Sequence, residues 1–163
     1  MIKKSGIPSQ EDVHSILPPP ERLSQGPVAI IECFENIPCN PCYTACKFEA
    51  IQEFADINDR PKIDFDACNG CGLCISACPG LAVFVVDQTY SDTEAVVQIP
   101  YELLPVPEKG DEVAALDRSG RKVSTGTVVK VRKTKNMTRV VSLAVPKEHA
   151  LDVRFFRMER DHE

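Results

Sequence analysis

Cys68-Asn69-Gly70-Cys71-Gly72-Leu73-Cys74-Ile75-Ser76-Ala77-Cys78-Pro79 decides how the rest of the chain reads, and its pattern is C-x2-C-x2-C-x3-C-P. Three thiolates two residues apart can wrap one corner of a cubane of iron and sulfide. The fourth, on a helical turn after the loop, points away from that corner. Gly70 and Gly72 have no Cβ, so the backbone can approach such a cluster and aim N–H groups at its sulfurs. Pro79 ends the turn. C-x2-C pairs also ligate zinc, but zinc motifs keep their two pairs well apart. The spacing favours iron and sulfide over zinc.

Upstream, Cys33, Cys39, Cys42 and Cys46 form C-x5-C-x2-C-x3-C. The last three match the second, third and fourth cysteines of the later run. Phe34 to Pro38 widens the first gap by three residues, and Lys47 stands where the later run has Pro79. Short runs at Val28–Glu32, Ile51–Phe54, Lys62–Asp64 and Leu81–Val86 read as strands. The pattern is strand, cysteine loop, helical turn, strand, twice over. Two four-iron clusters need eight thiolates, and the chain has 8 cysteines. If the longer loop draws Cys33 away, the first site is incomplete or holds three irons.

Residues 28–90 resemble the two-cluster bacterial ferredoxins, at all eight cysteines apart from the widened gap. The resemblance implies a pseudo-twofold β-α-β repeat in which the fourth cysteine of each motif crosses to the other cluster. Carried over position by position, Cys33, Cys39, Cys42 and Cys78 bind one [4Fe-4S] cluster, and Cys46, Cys68, Cys71 and Cys74 bind the other. Ile37, Phe48, Ile51, Phe65, Ile75 and Leu81 are expected to wall the clusters from water. Tyr43 reads as packing rather than as a redox relay.

The start of the chain has no apolar stretch behind its few charges, so it does not read as a signal peptide. The longest apolar run, Leu81–Val86, is far below the roughly 18 residues of a membrane span. Eight free cysteines then suit a reducing cytoplasm, where thiolates remain available to metal. Charge is divided. Residues 1–107 hold 6 Lys and Arg against 15 Asp and Glu, net −9, and residues 108–163 hold 13 against 9, net +4, which together give the chain its −5. Such asymmetry suggests modules with different neighbours.

The expected class is α+β, with a ferredoxin domain followed by a small antiparallel β-barrel-like domain and a C-terminal helix. Residues 1–27, with five prolines, read as an extended arm that is either frayed or laid on a partner by Val13, Ile16 and Leu17. The ferredoxin domain spans 28–90. A linker, 91–110, contains a strand candidate at Thr93–Ile99 and then Pro100, Pro105 and Pro107. The docking domain, 111–163, has strands at Glu112–Asp117, Lys122–Val131 and Met137–Pro146, a bulge at Gly126, and a closing helix over Pro146–Phe156.

His14, His149 and His162 are scattered, and neither a Ser–His–Asp set nor a phosphate-binding glycine loop is visible. The chain is not expected to be an enzyme alone. It reads as an electron-transfer subunit, with its arm and C-terminal module as docking surface. The first motif, Ile31 to Cys42, is similar to the small ferredoxin-like subunits of FAD-dependent amine and imino-acid dehydrogenases of the proline, hydroxyproline and opine type. That similarity implies a hetero-oligomer with a flavoprotein dehydrogenase that carries FAD or FMN, the flavin lying on the partner and not on this chain. Two alternatives remain. One is a free soluble ferredoxin with a docking appendage. The other is an iron–sulfur regulator or nucleic-acid protein using the basic hairpin Lys130–Arg139. Nucleic acid is not expected, because the five hairpin cations lack interleaved aromatics for base stacking.

Overall fold

The computed structural model describes residues 2–159. His162 and the last residues of the expected docking domain lie outside them. Seven strands form one antiparallel sheet: β1 (Val28–Ile31), β2 (Val83–Asp87), β3 (Glu94–Tyr101), β4 (Glu112–Leu116), β5 (Lys122–Lys133), β6 (Arg139–Pro146) and β7 (Phe155–Met158), in the order β1-β2-β3-β6-β5-β4-β7. Among the described residues five short helices accompany it: α1 (Ile2–Ser5), α2 (Gln10–His14), α3 (Pro20–Leu23), α4 (Pro41–Ala45) and α5 (Leu73–Ala77). The fold is mixed α/β. Among the described residues no helix is long and apolar enough to cross a membrane.

β3 sits where a strand was expected inside the proline-bearing linker. It pairs with β2 on one side and, over eight residues, with β6 on the other, which ties the cysteine-rich half into the C-terminal half. Alternation explains its place: Ala95, Val97, Ile99 and Tyr101 are buried on one face. With Val128, Val141, Leu143, Val145, Val153 and Phe156 they form the larger apolar core.

The sheet curls until Tyr101 of β3 stacks on Phe156 of β7, ring centroids 5.0 Å apart. It does not close, because β7 pairs only with β4. The expected barrel is therefore an open sheet. The expected C-terminal helix is absent too. Lys147–His149 is a single 3-10 turn, and Phe155–Met158 is strand β7. Ala150 and Val153, three apart, suggested a helical face. Both reach full burial from turns, while β4 offers Phe155 and Phe156 an open edge to pair with. Sheet pairing wins over local periodicity.

The bulges lie at Ala115/Leu116 and Val128/Lys130, not at Gly126. Gly126 instead allows close packing, since a Cβ there would stand 2.8 Å from Leu143 Cγ.

The ferredoxin repeat is present in part. β1, before the first motif, pairs antiparallel with β2, after the second. The corresponding inner pair, Ile51–Phe54 with Lys62–Asp64, is reduced to one bridge, Ile51 to Ile63. Gln52, Glu53 and Lys62 are exposed, so this short ribbon has little apolar surface to bury and does not extend.

The proline-rich arm is not extended. It forms α1, α2 and α3, with Pro20 at the first position of α3, where the missing N–H costs nothing. Ile16 and Leu17 pack on the chain's own larger core rather than waiting for a partner.

Candidate functional site

α4 and α5 show why the two motifs are equivalent. Each is five residues long, carries its motif's third cysteine at its second position (Cys42, Cys74), and stops at the fourth (Cys46, Cys78). Both fourth cysteines turn extended, with φ/ψ of −79/100 and −75/113. The chain therefore leaves each helix at the thiol that must point elsewhere. α5 follows Gly72 at φ +74, a left-handed position that Gly adopts without strain.

All eight cysteines are free thiols. Cys33, Cys39, Cys42 and Cys78 line one cavity, of about 410 Å³. Cys46, Cys68, Cys71 and Cys74 line a second, narrower one. Each cavity holds three thiols from one motif and the fourth from the other. The widened loop leaves Cys33 lining the same cavity as Cys39 and Cys42, with buried Phe34 lining it beside them. Among the described residues no three His, Cys, Asp or Glu side chains converge closely enough for a single ion. A larger cavity, about 1030 Å³ beneath Tyr101, Leu103 and the β7 aromatics, contains no cysteine.

The donor set suits [4Fe-4S] clusters: four soft thiols per cavity, with backbone N–H groups aimed at sulfur. The Ala29 N–H donates to Cys68 Sγ and the Ala82 N–H to Cys78 Sγ, both at 3.4 Å. In the metal-free protein burial pushes the Cys74 thiol up to about 12, and the nearby charges of Cys68 and Cys71 add to the rise. Burial likewise pushes Cys42 up to about 11. Cys33 is raised by burial first and then by the charges of Cys78 and Cys39. Thiols so placed hold their protons near neutrality until a cation displaces them.

The expected apolar walls are uneven. Ile51 and Ile75 are buried, whereas Ile37, Phe48 and Leu81 are 45%, 48% and 37% exposed. Phe65 is half-buried. Tyr43 packs against Phe54, ring centroids 6.4 Å apart. His14 and His149 line neither thiol cavity.

Two charged clamps escaped the sequence reading. Arg22 of α3 is buried and donates from Nε to Phe65 O, from Nη1 to Gly26 O, and from Nη2 to Pro27 O and Cys68 O, at 2.6–3.1 Å. It fixes the start of the second cysteine loop to the N-terminal arm. At the other cavity Glu32, the residue before Cys33, accepts from Arg118 Nη2 at 2.6 Å and from Arg154 Nε at 2.5 Å. Burial raises the Glu32 carboxyl, but the hydrogen bond from Arg118 and the charges of both arginines outweigh it and hold the group below its ordinary value. Arg154 is pulled down by burial to about 10, with Glu32 opposing, and remains a cation near neutrality. Its Cζ lies 5.2 Å from the Phe84 ring centroid. Nothing in the spacing of the sequence announces either clamp.

Residues 61–84 match the family described as "4Fe-4S binding domain". The chain is 45% identical over 54 residues to the pyruvate synthase subunit PorD of Methanocaldococcus jannaschii, covering 33% of this chain and 60% of that protein. It is 38% identical over 54 residues to the ferredoxin-type protein NapF of Haemophilus influenzae, covering 32% of this chain and 31% of that protein. The chain thus spans less than two thirds of the length of either relative. No solved structure matches it. These matches show an iron–sulfur, ferredoxin-like protein.

Proposed function

We propose that this chain is an electron-transfer subunit of a larger oxidoreductase, carrying two [4Fe-4S] clusters and no catalytic site of its own. The observation that carries the proposal is the division of eight thiols into two sets of four, each with one thiol from the opposite motif. Cys33, Cys39, Cys42 and Cys78 would hold one cluster, and Cys46, Cys68, Cys71 and Cys74 the other. When bound, such a cluster takes up and releases a single electron with little change in its ligands. The protein's own part is to fix thiols, charges and water access around it. Cys68 Sγ and Cys78 Sγ accept backbone N–H bonds from Ala29 and Ala82, which fix where the two sulfurs sit. Arg22 holds the Cys68 carbonyl, and the Glu32–Arg118–Arg154 set anchors the backbone just before Cys33. Ile51, Ile75, Val83 and Val85 exclude water behind the thiols.

The electron donor we propose is a flavoprotein dehydrogenase acting on an amine or imino acid, joined to this chain in a hetero-oligomer. The support is the similarity of the first motif, Ile31 to Cys42, to the small subunits of such enzymes. Two one-electron centres suit a reduced flavin, whose two electrons leave singly. That one relative is named as a subunit of pyruvate synthase supports a subunit role without fixing the partner.

Anaerobic affinity purification of the tagged chain from its host tests this reading. A co-purifying flavoprotein that reduces the chain's visible absorption when given an amine or imino-acid substrate is the expected result. Isolation as a free monomer that exchanges electrons with several unrelated enzymes would overturn it in favour of a diffusing ferredoxin.

A further inference from the structure

The β5–β6 hairpin folds back over the second cysteine motif. Arg132 Nη2 donates to Gly72 O at 3.4 Å, and Asn136 Nδ2 donates to Ser76 O. Gly72 adjoins Cys71, the one cysteine of the eight that is exposed. Lys130 and Arg132, two apart on β5, share the sheet face that lies toward this loop, and Lys135 sits at the hairpin tip beside Asn136. Lys130 and Lys135 are exposed, and among the described residues none of the hairpin's cations forms an ion pair.

The setting isolates this charge. The loop from Cys68 to Cys78 contains no charged residue, and residues 1–107 as a whole are net −9. The cations therefore come from the C-terminal half, which the fold places at the exposed corner of the second thiol set. Met137, 57% exposed at the hairpin tip, adds an adaptable apolar contact. A cationic rim around an apolar, thiol-bearing centre is built to receive a surface of opposite sign.

We infer that the Lys130–Arg139 hairpin and the Cys71 corner together form a docking face for an acidic redox protein, through which electrons enter or leave the second cluster. This rests on the two-cluster reading above. The hairpin guides the acidic partner onto Cys71, and the neutral loop lets the two surfaces come close without repulsion. Charge of this kind acts chiefly on the association rate and fades as salt screens it.

The test uses the full chain, loaded with iron and sulfide and then reduced. Its oxidation is timed with anionic cobalt(III)–EDTA and with cationic hexaamminecobalt(III) at low and high salt. Binding of poly-L-glutamate to the same chain is measured by calorimetry. In the Lys130→Glu/Lys135→Glu variant the rate with the anionic complex should fall by about tenfold at low salt and the rate with the cationic one should rise. Both differences should shrink at high salt, and polyglutamate binding should be lost. Lys130→Gln/Lys135→Gln should give the same signs at smaller size. Lys122→Glu/Lys147→Glu, at the start of β5 and in the turn just after β6, should change neither rate.

Equal effects from the hairpin and control variants, or none from either in a fully loaded chain, would overturn the docking face and leave the two-cluster reading standing. So would loss of single-stranded DNA binding in the hairpin variant with unchanged cobalt rates, which would assign the hairpin to nucleic acid. A chain that takes up no iron would overturn both.

Discussion

Arg154 Nε donates to Glu32 Oε1 at 2.5 Å, joining the turn before the last strand to the residue that precedes Cys33. Arg118, from the β4–β5 turn, grips the same carboxylate and also donates to Leu151 O at 2.9 Å. The C-terminal half therefore reaches back to the first thiol set. It is part of that site's framework.

Glu32→Gln removes the anion and leaves two arginines facing each other in a region where Glu32 is 9% exposed. Breaking one partner out of a buried pair costs about 3–5 kcal/mol. Thermal unfolding of the anaerobically purified chain should show a loss of that order. The pH dependence follows from the depressed carboxyl of Glu32. Its stabilisation is present above the unfolded value, 4.5, and is lost as pH falls through the lower folded value. Wild type should thus lose part of its advantage over Glu32→Gln only under acid conditions. A constant gap down to strong acid would contradict this.

Arg22→Ala strands four backbone carbonyls that one guanidinium now satisfies. A net loss of roughly 3 kcal/mol is expected from unpairing buried groups bonded to a charge. Arg22→Lys should rescue little of it, because a single ammonium does not reproduce the planar fork. The telling readout is metal content: the Arg22→Ala chain should lose iron from the second site before the first. Equal loss from both sites would show that Arg22 has no special bearing on the Cys68 loop.

Gly70 stands at φ +71, and a Cβ there would lie 2.5 Å from Pro27 Cβ and 2.7 Å from its carbonyl carbon. Gly70→Ala meets left-handed strain of about 1–2 kcal/mol, with overpacking of similar size added. The variant should fold poorly or load poorly. Gly80→Ala, with Cys78 Sγ 3.9 Å from the added Cβ, should behave as wild type and serves as the comparison.

In the metal-free, reduced chain, iodoacetamide should modify Cys71 first and Cys42 and Cys74 last. Cys71 is exposed, and the other two are buried with thiols raised by that burial. Peptide mapping of a timed reaction checks the order. Prior loading with iron and sulfide should protect all eight. Early modification of Cys74 would show that the second cavity is open in solution.

The cysteine motifs were legible because ligand spacing is local: a thiol every third residue and a short helical turn are dictated by the residues between them. The same holds for β1, β2 and β3, whose β-branched runs and alternation are plain. The clamps were not legible, since Arg22 reaches Phe65 O and Cys68 O, 43 and 46 residues away, and Arg154 meets Glu32 at a separation of 122. The C-terminal helix was misread because Ala150 and Val153 fit a helical face, and only the unpaired edge of β4 decides against it. The inner ribbon stops at the Ile51–Ile63 bridge because Gln52, Glu53 and Lys62 beside it are exposed and give further pairing little to bury. The hairpin's charge was visible, but its place over Gly72 and Ser76 depends on the long pairing of β3 with β6.

The most direct test of the account is the iron, acid-labile sulfide and zinc content of the anaerobically purified chain. Two complete [4Fe-4S] clusters predict about eight irons and about eight sulfides per chain, with no stoichiometric zinc. About four irons would mean that Cys33 and its widened loop do not complete a site, and zinc in place of iron would contradict the account entirely.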